Sequence, residues 1–398
     1  MSPGPGLQRT ILPMGFLASG INSGVRRYRP DVGLIISEIE AVAAGVFTLN
    51  ECKAAPVVYC QNILPSTRIR AVVTNSGQAN AATGSLGVEN NLKMVNRVAQ
   101  ELGVAQNQVL VASTGVIGVQ LAVDKINEAI PELVERASQV AENFALAILT
   151  TDLVPKTVTT TVTLSQGTVR ITGICKGSGM IHPNMATMLG YILTDVVLSP
   201  ELAQSLLKEA TDLSFNMISV DGDCSTNDCN FLIANGASEV EIKDAEDLLV
   251  FRKALIEVSQ FLAQSIAADG EGANKLIEVQ MLRAPDLEVA RRAARGITLS
   301  PLIKTAIHGE DPNWGRILAR LGAERVPSAA LDLMSLRIQG VLMYEQGQPK
   351  EFDREALRQK LKQPKVKIEI DLKSGVENAT AWGCDLSKRY VEINTEYS

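Results

Sequence analysis

Apolar and polar positions alternate along most of this chain in two rhythms. Period two marks strands and a period near 3.6 marks helices. GLIISEI (33 to 39) and AVAAGVFTL (41 to 49) read as strands, as does RAVVT, which runs into the polar loop NSGQANAATG ending at 84. VENNLKMVNRVAQELG (88 to 103) has the helical period and ends on Gly, a good helix stop. NQVLVASTGVIG (107 to 118) repeats the scheme of a strand followed by a small-residue loop. Residues 122 to 149 read as helical, with Pro131 near a start or a break. The Thr/Val alternation of 156 to 177 predicts a hairpin that turns at Gln166-Gly167.

After a short apolar run, MLGYIL, a helix is expected over 199 to 217, with Ser199 as N-cap and Pro200 at the first helical position. The polar loop SVDGDCSTNDC, a strand at NFLIANG and a long helix over 245 to 268 follow. DGEGANK (269 to 275) leads into the strand KLIEVQML, and helical patterns at 286 to 296 and 313 to 323 flank IHGEDPNWGR. In the tail, 334 to 345, 365 to 372 and 389 to 394 read as strands and 353 to 362 as a helix. The order is mixed rather than strictly alternating, which predicts an α+β layered fold over a doubly wound sheet. A subdivision is expected near 320 to 330, at AERVPSAA.

Composition narrows the function. With 398 residues, the chain is too long for one ordinary core. It is 46% apolar, 21% charged and 4% aromatic, as in a globular protein. Few aromatic residues and a net charge of -6 argue against a nucleic-acid surface. No secretory signal pattern and no apolar run of membrane-spanning length is seen, so a cytoplasmic protein is expected. The six cysteines form no C-x-x-C pair, and His182 and His308 are the only histidines, so no metal site is expected.

The chemistry concentrates at KGSGMIHPNMATMLGYILTD (176 to 195). A P-loop needs its Lys after the last Gly, and here Lys176 comes first. A G-x-G-x-x-G reading fails at His182. A Ser-His-Asp hydrolase is disfavoured by two histidines and no G-x-S-x-G. The step Ala186-Thr187 admits another chemistry. If the bond before Thr187 is cut, the new α-amine, with a pKa of about 7.7 to 8.0, can take the proton of the hydroxyl on the same residue. By pattern alone, a threonine that simply starts a buried strand is the better-supported reading.

The surrounding words reverse that balance. KGSGMIHPNMATML, VTNSGQANAATG, STGVIG, LTTDLVPK, SFNMISVDGDCSTND, DGEGANK, GEDPNWGR and VEINTEYS resemble, in order, the blocks of the ornithine acetyltransferase (ArgJ) family. The resemblance runs from about residue 12 to the C-terminus. It implies a layered αββα-type sandwich that cleaves itself between Ala186 and Thr187, with Thr187 as the nucleophile. The α chain would be residues 1 to 186 and the β chain 187 to 398. Of these, 187 to 325 would complete the main layered domain and 326 to 398 would form a smaller C-terminal α/β part. Thr114 and Gly115 would form the oxyanion hole, a role that suits a hydroxyl and a backbone N–H. Lys176 and one of Thr150 and Thr151 would bind substrate, joined by Thr187, Glu271, Asn394 and Ser398. The substrates implied are N-acetylornithine and glutamate, with acetyl-CoA as a second acetyl donor in some members. No metal or bound cofactor is implied, and the assembly expected is an α2β2 heterotetramer.

Three features depart from the family pattern. The chain stops four residues after Asn394, where a further Thr is usual. Cys224 and Cys229 stand where Thr is usual, and Gln78 stands where Asn is common. Two other classes remain on the residues alone. One is a self-processing amidohydrolase or peptidase with water as acceptor. The other is a binding protein in which Thr187 is only a strand residue.

Overall fold

Two mixed sheets organise the chain. The computed structural model describes residues 10–182 and 188–396. The chain opens with β1 (Phe16–Ile21), β2 (Val32–Phe47), α1 (Ala55–Ile63), β3 (Ser66–Gln78) and α2 (Gly84–Leu102). β4 (Val109–Val116), α3 (Val123–Glu135), α4 (Glu142–Ala147), β5 (Lys156–Leu164) and β6 (Gly167–Lys176) come next. Then follow β7 (Leu189–Thr194), α5 (Pro200–Asp212), β8 (Ile218–Ser219), β9 (Cys229–Ala234) and α6 (Ala245–Ala268). β10 (Leu276–Ala284) precedes the helices α7 (Leu287–Leu299), α8 (Pro301–His308), α9 (Trp314–Ala323) and α10 (Ser328–Leu333). The tail holds β11 (Ser335–Ile338), β12 (Val341–Glu345), β13 (Gln348–Pro349), α11 (Arg354–Leu361), β14 (Lys365–Asp371), β15 (Glu377–Cys384) and α12 (Lys388–Thr395).

The first compact unit comprises residues up to Gly177, with Pro183–Asn216 and Cys224–Leu262. Its eight-stranded sheet runs β4-β3-β2-β9-β7-β6-β5, with β1 added on β2. The two strands expected at 33 to 39 and 41 to 49 are one, β2, whose pairing with β3 shifts register between Ile36 and Ala41. Its first half pairs β1 and its second half β9, while β3 pairs along it on the opposite edge. On one face Tyr191 meets Phe144 of α4 edge-on at 5.0 Å and Phe231 at 6.0 Å. Burying each such ring is worth about 1.5–3 kcal/mol. On the other face Asn230 donates to Thr211 Oγ1 of α5 at 3.0 Å, and Gly173 lies against Val258 and Leu262 of α6. Helices therefore cover both faces of this sheet. The helical stretch expected over 122 to 149 is two helices, α3 and α4, with Pro131 inside α3.

The second unit comprises Ser178–His182, Met217–Asp223 and Ala263–Ser398. Its seven-stranded sheet runs β13-β12-β11-β14-β10-β15-β8. β10 pairs β14 in parallel and β15 antiparallel. The α+β class is thus the one observed, since each sheet mixes parallel and antiparallel pairs. Because β10 pairs with β14 and β15, residues 263 to 325 group with the tail, and the compact unit does not begin near 326. A second correction concerns 389 to 394, expected as a strand. They lie in helix α12, capped by Ser387, whose Oγ accepts from Arg389 N. None of that helix's side chains is buried, so no core face holds VEIN to its strand-like alternation. Among the described residues no helix is long and apolar enough to cross a membrane.

Candidate active site

In the first unit, the site is built where parallel strands β3 and β4 end side by side. Gly77 pairs with Gly115 in register. Gly115 has φ +131°, and a Cβ on it would lie 2.2 Å from the Gly77 carbonyl carbon, so only glycine fits. The strand ends are tied together by side chains. Ser113 Oγ donates to Asn75 Oδ1 at 2.6 Å, and Asn75 Nδ2 donates to the Gln78 carbonyl at 2.9 Å. Asn227 Nδ2 donates to the carbonyls of Ser113 and Ala79. Gln78 Oε1 accepts from Ala122 N at 2.8 Å, which gives that departure from the family pattern a structural role. Cys224 Sγ lies 3.5 Å from Thr48 Oγ1, and Cys229 is buried in β9.

Lys176 ends β6. Its Nζ donates to Thr150 Oγ1 at 2.7 Å and to Thr114 Oγ1 at 3.4 Å, and lies 3.8 Å from Asp152 Oδ2. Of the two candidate threonines, Thr150 is the one bonded to Lys176. Thr151 is half-buried beside it. Asp152 was not singled out from sequence, yet it anchors this cluster. Its buried carboxylate accepts from Lys156 Nζ and Gly177 N, both at 2.7 Å, and from Thr150 N at 3.0 Å. Burial raises its pKa, but the charges of Lys176 and Lys156 outweigh burial and hold it well below the usual carboxylate range. The Thr150 loop and the end of β6 are thereby fastened to one anion.

In the second unit, Glu271 lies in the loop before β10 and is buried, only 8% exposed. Its N–H donates to the Ser178 carbonyl at 3.1 Å, and Ser178 Oγ donates to the Asp269 carbonyl at 2.7 Å. A Cβ on Gly179 would fall 2.4 Å from the Glu271 carboxyl carbon, so the glycine makes room for that carboxylate. Asn394 Nδ2, on α12, donates to Glu271 Oε2 at 2.8 Å and to the Tyr390 carbonyl at 3.0 Å. Asp221 accepts from Met180 N at 2.6 Å and Ile181 N at 2.7 Å. Burial pushes Asp221 up from its ordinary pKa. Burial, then the negative charges of Asp221 and Glu271, raise the Tyr390 hydroxyl well above its ordinary value.

The structure therefore sets Thr114, Gly115, Thr150 and Lys176 in the first unit, and Glu271 and Asn394 in the second. The nucleophile and cleavage residues, Ala186 and Thr187, and the terminal Ser398 lie outside the described residues. Each cluster has a distinct capacity. The first offers an ammonium for an anionic group and hydroxyl and backbone donors for a developing oxyanion. The second offers a carboxylate, oriented by an amide, for a cationic group. Among the described residues no group of three or more His, Cys, Asp or Glu side chains could hold a metal ion.

Residues 17–398 match the ArgJ family. A Thermotoga neapolitana protein called arginine biosynthesis bifunctional protein ArgJ is 46% identical over 394 residues, covering 97% of this chain and 99% of that protein. Its namesake from Lactococcus lactis is 44% identical, covering 97% of each. Among solved structures, ornithine acetyltransferase from Mycobacterium tuberculosis in complex with ornithine is 36% identical. It covers 45% of this chain and 98% of that one, with a TM-score of 0.43.

Proposed function

The chain belongs to the ArgJ family, and on that premise we propose that it is a glutamate N-acetyltransferase of arginine biosynthesis. It moves the acetyl group of N-acetylornithine to glutamate. The single observation that supports this reading most is the Lys176 cluster. One ammonium reaches the hydroxyls of Thr114 and Thr150 at the end of β6. Lys176 pairs in register with Leu189 of β7.

Thr187 is the nucleophile, with an α-amine freed by cleavage after Ala186. Its hydroxyl attacks the acetyl carbonyl while the α-amine takes the proton. The tetrahedral oxyanion is held by the Thr114 hydroxyl and the Gly115 N–H. The C–N bond then breaks and ornithine leaves with the proton. The acetyl-threonyl ester remains until the amine of glutamate attacks it, giving N-acetylglutamate and restoring the hydroxyl. Lys176, with Thr150, meets the α-carboxylate of either amino acid. Glu271, oriented by Asn394, and Ser398 also bind substrate, as the family resemblance implies. Acetyl-CoA is the second acetyl donor that some members of the family use, and the reaction as written needs no metal or bound cofactor. The two chains, 1 to 186 and 187 to 398, assemble in the cytoplasm as an α2β2 heterotetramer.

The test is acceptor choice. Purified protein incubated with N-acetylornithine and glutamate should form N-acetylglutamate and ornithine in equal amounts, with little acetate. Acetate as the main product, unaffected by glutamate, would identify a hydrolase instead. Glutamate acetylated from acetyl-CoA without N-acetylornithine would establish the second donor.

A further inference from the structure

The second unit carries a cleft of about 430 Å³ that the acetyl-transfer chemistry leaves unused. It lies between α7 and α9. Four guanidiniums line it, from Arg291, Arg292, Arg295 and Arg320, against two carboxylates, Glu288 and Glu324. Both carboxylates are engaged. Arg292 Nη1 donates to Glu288 Oε1 at 2.6 Å, and Arg320 donates to Glu324. Arg292 Nε also donates to the Glu324 backbone carbonyl at 2.9 Å. Glu324 is fixed against α7 by Gly296, where a Cβ would lie 2.4 Å from Glu324 Oε1.

Positive charge is therefore in excess on this wall, although the whole chain carries -6. Arg295 Nη2 lies 3.1 Å from His182 Nε2, and His182 Nδ1 lies 3.1 Å from Ser219 Oγ. Burial, then the Arg295 charge, lowers His182 to about 4, so at neutral pH the ring accepts from Arg295 without cancelling its charge. The buried Nε of Arg320 has no hydrogen-bond partner among the described residues. Leu287 and Leu299 add apolar lining.

We propose that this cleft binds a phosphate-bearing small molecule, with its phosphoryl oxygens on Arg291 and Arg295 and its organic part against Leu287 and Leu299. The guanidinium fork matches phosphate oxygens in pairs. A phosphoryl group brings about -1.5 to -2 charge and three acceptor oxygens, which suits a lining of four guanidiniums and two carboxylates better than a single carboxylate does. The volume falls within the range of small-ligand pockets.

Isothermal titration calorimetry on the full-length protein, at one fixed ionic strength, tests this with pyrophosphate, ADP and citrate. Saturable binding of pyrophosphate and ADP is expected, weakened about tenfold or more in Arg291→Gln, since a charged hydrogen-bond pair is lost. Arg358→Gln, an exposed arginine on α11, should bind as wild type does. If Arg291→Gln does not fold by circular dichroism, Arg295→Gln takes its place, with the same weakening expected. Three results overturn the proposal: no saturable heat from either phosphate probe, unchanged binding in the folded arginine variant, or citrate binding as tightly as pyrophosphate.

Discussion

Replacing Asp152 by Asn should unfasten the Lys176 cluster, and its size can be worked from the contacts. The carboxylate is buried and accepts from Lys156 Nζ, Gly177 N and Thr150 N at 2.7, 2.7 and 3.0 Å. The Lys156 side chain is only 1% exposed and that of Lys176 10%, so neither ammonium has water to replace the lost charge. Removing one member of a buried pair costs about 3–5 kcal/mol. For a unit of this size, each kcal/mol lowers the thermal midpoint by about 2–4 °C, so a fall of roughly 6–20 °C is expected. Differential scanning fluorimetry of Asp152→Asn reads it directly. A further change, Lys156→Met, removes one of the two ammoniums that faced the lost charge and should recover part of the loss. The pH dependence has a definite sign. The folded pKa of Asp152 is depressed, so its stabilisation is full above the ordinary carboxylate pKa of about 3.9 and is lost as pH falls toward the folded value. The gap between wild type and Asp152→Asn should hold steady from about pH 5 to 8 and narrow below about pH 4. A midpoint change under about 3 °C, or no recovery with Lys156→Met, would refute this account of the cluster.

Other outcomes follow from the same geometry. Thr114→Ala should leave the melting profile near wild type but lower kcat by about 10²–10³, because one oxyanion donor is gone. Unchanged turnover would remove Thr114 from the oxyanion hole. Gly179→Ala forces a Cβ to 2.4 Å from the Glu271 carboxyl carbon. It should raise KM for N-acetylornithine more than it lowers kcat, and equal kinetics would mean Glu271 does not meet substrate. His182 should titrate near pH 4, as burial and Arg295 dictate. Imidazole NMR, assigned with His182→Gln, would contradict that environment if the midpoint stood near 6.5.

Legibility in the sequence varied with how local the cause was. Helix α6 has the bounds that periodicity predicts, 245 to 268. Ser199 caps α5 as expected, its Oγ accepting from Leu202 N at 3.2 Å. The hairpin of β5 and β6 is present, with Leu164 paired to Gly167, so its turn lies at Ser165-Gln166, one residue before the expected step. Strand β15 went unread, since ENATAWGC holds Glu, Asn, Ala and Gly, residues that strands disfavour. Its strand character comes from pairing with β10 and β8. Helices α1 and α8, nine and eight residues long, have no counterpart in the sequence reading. Asp152 lies inside the block LTTDLVPK, with Thr150 two and Lys156 four residues away, but no local pattern encodes its bond to Gly177, 25 residues on. From the sequence, Glu271 is marked only by the family resemblance. The structure buries it against Gly179 and Asn394, contacts no local pattern encodes.

The central claim is that Thr187 becomes an N-terminal nucleophile, and intact mass with a denaturing gel tests it most directly. Cleavage after Ala186 divides the 398 residues into pieces of 186 and 212. By length fraction these are roughly 20 and 23 kDa of the 42.7 kDa chain. Wild-type protein should show both pieces, and Thr187→Ala should remain one chain without transferase activity. A single intact chain in wild type, in fresh and aged samples alike, would mean Thr187 has no free α-amine, and the proposed mechanism would be wrong.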